Sequence, residues 1–137
     1  MQRSFIAIAV LIGLTGGAGL GAHHAWSGEF DRTKPLVLKG TVRQMDWVNP
    51  HSWIYVEVKD DAGKIVEWAV EAAAPNALIR RGFTKHSLPS GTEIRVEGFQ
   101  AKDSSNRMSG SKLIYVKDGT SLFMGSAGIG APVEPPK

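Results

Sequence analysis

Between Leu36 and Lys117 the chain breaks into short runs of alternating apolar and polar residues separated by turn residues, and this period of two constrains the fold more than any other feature. A run that alternates in this way buries one face of a strand and leaves the other outside. The first run, Leu36 to Val48, puts Leu36, Leu38, Gly40 and Val42 on one face and then changes phase to Met45 and Trp47. A bulge near Arg43 and Gln44 explains the change, since an extra residue lets a long strand bend to serve two sides of a barrel. Asn49-Pro50 then makes a turn. The second run, Ser52 to Lys59, sets Ile54, Val56 and Val58 inside against Trp53, Tyr55 and Glu57 outside, and Asp60-Asp61-Ala62-Gly63 forms a hairpin connection. The third, Lys64 to Ala72, alternates Val66, Trp68 and Val70 against Ile65, Glu67, Ala69 and Glu71.

Pro75 to Arg81 is the one helix the pattern predicts, with proline tolerated in its first turn and Gly82 as its stop. A connector ends in Pro89-Ser90-Gly91, and a fourth strand, Thr92 to Lys102, carries Ile94, Val96 and Gly98 inside. A polar loop over Asp103 to Gly110 precedes a fifth strand, Ser111 to Lys117, and Asp118-Gly119 turns into a short Leu122-Phe123-Met124 extension. Three strands, a helix and two strands is the order of the oligonucleotide/oligosaccharide-binding fold. The expected fold is therefore mainly β: a small five-stranded OB-like Greek-key barrel with one short helix between strands three and four. An open meander capped by the helix is the rival arrangement.

The 137 residues suffice for one domain of ordinary size. Phe5 to Leu14 is an apolar run broken only by Gly13, preceded by Arg3 and followed by small residues up to Ala22, the pattern of a secretory signal peptide. Cleavage after Ala22 leaves a chain beginning at His23. The expected organisation is a signal peptide over 1–22, a polar lead-in over 23–35, a β-barrel domain over 36–126 and a disordered tail over 127–137. The compartment would be the periplasm or the exterior, with no stable membrane span once the signal is removed. A formal charge of only +3 argues against a nucleic-acid partner. The absence of cysteine excludes disulfides, thiolate metal sites and cysteine nucleophiles together.

Three constellations carry chemistry. His23-His24 at the cleaved start joins a free α-amine to an imidazole, a nitrogen pair suited to Cu(II). His24 offers another nitrogen, and His51 and His86 are the remaining imidazoles. The candidate metal set is His23, His24 and His51. Paired histidines near a chain start also occur as plain solvated residues. A second constellation, Trp53 and Tyr55, lies on the outer face of strand two, where aromatic rings stack on sugars or other flat ligands; packing beneath the lead-in around Trp26 and Phe30 is the alternative. Arg80-Arg81 with Lys85, Lys102, Arg107 and Lys112 form the third, an anion site or merely the basic end of a helix. Glu57, Glu67 and Glu71 are expected on strand surfaces, with no apolar pocket to raise a carboxyl pKa and hence no catalytic use.

Ala22-His23-His24-Ala25-Trp26, Glu29-Phe30-Asp31, Gly40-Thr41-Val42, Trp47-Val48-Asn49-Pro50-His51, Pro75-Asn76-Ala77-Leu78 with Arg80-Arg81-Gly82, and Gly91-Thr92-Glu93 together resemble a family of small exported bacterial proteins catalogued as a domain of unknown function. The resemblance covers His23 to about Gly125. It implies an exported small β-barrel and brings no activity or cofactor with it. The expected function is a non-enzymatic periplasmic binding or accessory protein that takes copper through its N-terminal histidines. The alternatives are a carbohydrate or envelope-ligand module using Trp53 and Tyr55, and an interaction module for another exported protein.

Overall fold

The computed structural model describes residues 28–125. The expectations for the signal peptide, for His23 and His24 and for the tail lie outside the described residues. Among the described residues six strands and one short helix follow from Phe30 onward: β1 (Phe30–Asp46), β2 (Trp53–Lys59), β3 (Ile65–Glu71), α1 (Pro75–Ile79), β4 (Glu93–Ala101), β5 (Arg107–Tyr115) and β6 (Ser121–Phe123). β1 pairs antiparallel with β2 on one side and with β4 on the other. β2 continues to β3 and β4 to β5, both antiparallel. The end of β3 then runs parallel to the start of β5 through Ala69↔Arg107, Val70↔Met108 and Glu71↔Ser109. The sheet is thereby a ring in the order β1-β2-β3-β5-β4, with α1 inserted between β3 and β4, the OB-like arrangement the alternation predicts. β6 adds to β5 outside the ring.

The bulge falls where the phase change puts it. β1 matches Val42 to Val56 and then Gln44 to Tyr55, leaving Arg43 as the extra residue. Before the bulge β1 lies along β4, and beyond it the strand continues with β2 alone. The β2–β3 hairpin is held at its turn by Asp60, whose carboxylate accepts the backbone N–H groups of Ala62 and Lys64. Inside the ring Val42, Ile54, Val56, Val70, Ile94, Val96, Met108 and Leu113 are all but sealed from solvent. Leu78, Phe83 and Leu88 from the β3–β4 crossover join the same core, with Trp47 and Trp68 packed partly against it. Gly82 ends α1 in the left-handed region at φ 91°. There Gly82 N–H donates to Ile79 O and Phe83 N–H to Leu78 O, so the cap folds Phe83 back onto Leu78.

Two boundaries differ from expectation by four residues or more. β1 begins at Phe30, inside the lead-in read as polar. Its first residues pair with β4 through Phe30↔Ala101 and Pro35↔Phe99, and Phe30 buries itself in a small second cluster with Phe99 and Ala101. β5 begins at Arg107, four residues before Ser111. Backbone bonds to β3 and β4 make a strand of Arg107 to Gly110 although its side chains do not alternate.

Candidate functional site

The turn after β1 is fastened to the far end of β3. Ser52 N–H donates to Ala73 O at 3.3 Å and Ala72 N–H to Ser52 O at 2.8 Å, extending the β2–β3 ladder by two backbone bonds. Within the ladder Trp53 stands opposite Glu71. His51 lies two residues before Trp53, so the period of two gives it the same outer face and makes Glu71 its diagonal neighbour. His51 Nδ1 is 2.6 Å from Glu71 Oε1. The imidazole is 39% exposed and the carboxylate only 5%. The Asn49-Pro50 peptide of this turn is cis.

Around the pair is a cleft of about 250 Å³. Phe30, Val48, Pro50 and Trp53 give it apolar walls, and Glu29, Asn49, His51, Glu71 and Arg107 its charged and polar groups. Arg107 enters from the first residue of β5. Its guanidinium bonds Glu29 at 3.0 Å and lies 5.6 Å from the Trp53 ring centre and 5.9 Å from that of Phe30. Lys102 N–H donates to Glu29 O at 2.9 Å, which fixes the start of the described chain against the β4–β5 loop. The cleft is thus built from the β1–β2 turn, the ends of β2 and β3, the start of β5 and the residues just before β1.

Burial pushes the Glu71 carboxyl above the usual carboxylate range; the His51 imidazole opposes the shift, Glu29 adds to it and Arg107 opposes it. This corrects the expectation that Glu71 sits on a strand surface without an apolar pocket. The reason is tertiary: the outer face of β3 is covered at this end by the β1–β2 turn and the residues leading into β1. A carboxyl that holds its proton more tightly when folded makes stability fall as pH rises through the interval above its ordinary value of 4.5. Asp31, Asp103 and Asp118 are shifted the other way by hydrogen bonds to Thr33, Ser105 and Thr120, and act below their ordinary 3.8. Urea unfolding across about pH 5 to 8 should therefore show wild type losing stability relative to Glu71→Gln as pH rises. Parallel curves for the two proteins would refute that assignment.

The other sequence candidates are placed as follows. Tyr55 is on the outer face of β2, half-buried, with Arg43 5.3 Å from its ring centre and Arg43 in turn paired with Glu67. Burial and the nearby Asp46 raise its phenol above the ordinary value. Trp53 does reach Phe30, but through the Arg107 guanidinium that lies over both rings. Trp26 lies outside the described residues. His86 is exposed in the crossover, its N–H donating to Thr84 Oγ1. Arg81 bonds the Gly125 carbonyl and covers the Phe123 ring, while Arg107 belongs to the cleft. Among the described residues no three His, Asp or Glu side chains form a metal-holding group. His23 and His24 are outside them, and only five residues separate His23 from Glu29.

Glu71 is the site residue that reading by composition misses. The hairpin register would have found it. Pairing Lys59 with Ile65 across the Asp60–Lys64 turn carries the ladder back to Trp53 opposite Glu71, which sets that carboxylate beside the Asn49-Pro50-His51 turn. No described helix is long and apolar enough to cross a membrane. No curated protein and no solved structure matches this chain. The match that does appear spans residues 12–110 and takes in the turn, the ladder and the start of β5 that build the cleft, and by it the chain belongs to the family of unknown function DUF6152.

Proposed function

We propose that this protein is an exported, non-enzymatic binding or accessory module that takes Cu(II) in the cleft at the β1–β2 turn, through His51 together with His23 and His24. The observation that carries this reading is the state of His51. Nδ1 lies 2.6 Å from Oε1 of a nearly buried carboxylate, and the imidazole is 39% exposed at the cleft. Metal-binding imidazoles are commonly held in this way, one nitrogen on a carboxylate and the other free for the ion. Imidazole and amine nitrogens suit Cu(II). A fully extended chain from Glu29 back to His23 reaches at most about 20 Å, so the α-amine exposed by cleavage before His23 is tethered close to the cleft that Glu29 lines.

Two further points support a binding role. In OB-like folds the face of strands two and three, with the β1–β2 and β4–β5 loops, is a frequent ligand surface, an analogy at the level of fold alone. Among the described residues lining the cleft there is also no hydroxyl, thiol or lysine amine to act as a nucleophile beside His51. A second reading, an envelope glycan on the outer face, draws on Trp53 and Tyr55 standing there with Arg43 and Arg107 above their rings. Unchanged tryptophan fluorescence across a panel of envelope glycans removes it.

The test is the native intact mass of protein recovered from the periplasm, before and after one equivalent of Cu(II). The expected result is a chain beginning at His23 that gains one copper ion. His23→Ala should lose it, because that change removes one of the two nitrogens of the terminal chelate. A different first residue, or a wild-type chain that retains no metal, overturns the proposal.

A further inference from the structure

We infer that the cleft beside the β1–β2 turn is the seat of this chain's own Trp26: residues 23–27, which lead directly into the described chain, fold over the cleft and place the indole on its apolar wall. The seating needs no metal and stands apart from the copper reading. The two meet only in that a seated Trp26 holds His23 and His24 at the rim where His51 is exposed.

The size and chemistry of the cleft choose the occupant. At about 250 Å³ it falls below the roughly 300–1,000 Å³ of sites that enclose a small-molecule ligand, and it suits one large side chain. Val48, Pro50 and Trp53 offer an apolar wall. Val48 is left 48% exposed, an apolar surface that an occupant removes from water. The same lining carries hydrogen-bond acceptors on Glu29, Asn49 and Glu71. A group with a flat apolar body and one N–H to donate matches that mixture, and indole is such a group.

The place where the described chain begins names the source. Glu29 lines the cleft and is fastened there by the bond from Lys102 N–H to its carbonyl and by Arg107 on its carboxylate. Trp26 stands three residues earlier, so even a fully extended path between them spans only about 10 Å. The backbone at Gly28 and Glu29 is helical. The same path carried back one turn sets residue 26 on the side of Glu29 and Phe30, both of which line the cleft. Gly28 is already in place, so seating Trp26 orders only Ser27 and Trp26 itself, close to the least conformational entropy a tethered side chain can lose. Among residues 23–27 Trp26 is the one large apolar side chain.

The experiment uses the exported chain beginning at His23, kept metal-free with a chelator and labelled with fluorotryptophan, as wild type, Trp26→Phe and Val48→Asp. Trp26→Phe assigns the Trp26 fluorine signal by its loss, and a soluble nitroxide reads how far each indole is open to solvent. In wild type the nitroxide should broaden the Trp26 signal several-fold less than that of free fluorotryptophan, and nuclear Overhauser contacts should join its indole to the Val48 methyls. Val48→Asp sets a charge on the wall at an exposed position and should raise the broadening of Trp26 toward that of the free amino acid. Trp47 and Trp68, packed partly against the main core, should keep their wild-type signals and so report an intact fold. If Val48→Asp disturbs those two, Val48→Ala, which only shortens the wall, takes its place and should give a smaller release. A wild-type Trp26 as open to the nitroxide as the free amino acid overturns the inference, as does protection that both Val48 variants leave unchanged. Protection that disappears on dilution overturns it too, because the occupant is then the Trp26 of a second copy. A protected Trp26 in a chain that takes up no copper supports the seating and removes only the metal reading.

Discussion

Phe83→Ala is expected to cost about 3–5 kcal/mol of folding stability. Phe83 is 1% exposed and packs in the main core with Leu78 and Leu88, all three drawn from the crossover between β3 and β4. The crossover has little else to hold it in place. α1 is only five residues long and has no side-chain cap at its start, so it contributes almost no helical stability of its own. The left-handed Gly82 and the bond from Phe83 N–H to Leu78 O turn the chain so that the phenyl ring can enter. Truncating the ring removes its buried area and leaves a cavity that the surrounding strands, paired on both sides, cannot close. Denaturant unfolding followed by tryptophan fluorescence measures the loss. A midpoint close to wild type would mean that the crossover is not seated in the core in solution.

Gly98→Ala should be nearly as damaging, at about 3 kcal/mol, for the opposite reason. Gly98 lies where the β4–β5 register shifts, opposite Gly110 on one side and Leu36 on the other. A methyl group there would be driven into the Ser109 carbonyl, with Met108 Cε only 2.7 Å away. The first obstacle is backbone and cannot swing aside. Ser109 is itself paired with Glu71, so a displaced β5 would open the parallel contact that closes the ring. Gly98→Ala is therefore expected to lower the unfolding midpoint and to disturb the cleft through Arg107, and denaturant unfolding followed by far-ultraviolet circular dichroism measures the loss. An alanine variant with wild-type stability would show that β4 and β5 can separate without cost, contrary to the packing.

Much of the ring was legible along the chain. The change of phase after Val42 marks the bulge, because a period of two interrupted by one residue has no other reading in a strand that keeps its inner face. Asp60 to Gly63 marks the hairpin, Gly82 the end of the helix, and the order of the elements the OB-like ring. The opening of β1 and of β5 was not legible. Residues 30–35 are strand by virtue of pairing with β4 some seventy residues away, and residues 107–110 by pairing with β3 about forty residues away as well as with β4, and no side-chain pattern records a backbone bond.

The site divides in the same way. His51 and Trp53 are conspicuous by residue type and by their place around the Asn49-Pro50 turn. Glu71 looks like an ordinary outward residue at the end of an alternating strand, and Arg107 like a loop cation. Alternation, turn chemistry and element order are local, so the sequence by itself determined the body of each strand, the bulge and the direction of the side chains within those runs. What covers an outward side chain is not local. Only the closure of β3 against β5, and the docking of the β1–β2 turn and the Glu29–Phe30 segment over that edge, decided that Glu71 is buried, that it meets His51, and that Arg107 lies between two aromatic rings. The physical reason is that burial and the pKa shift it causes depend on which distant segments exclude water from a group, and the group's own neighbours in the chain do not specify them.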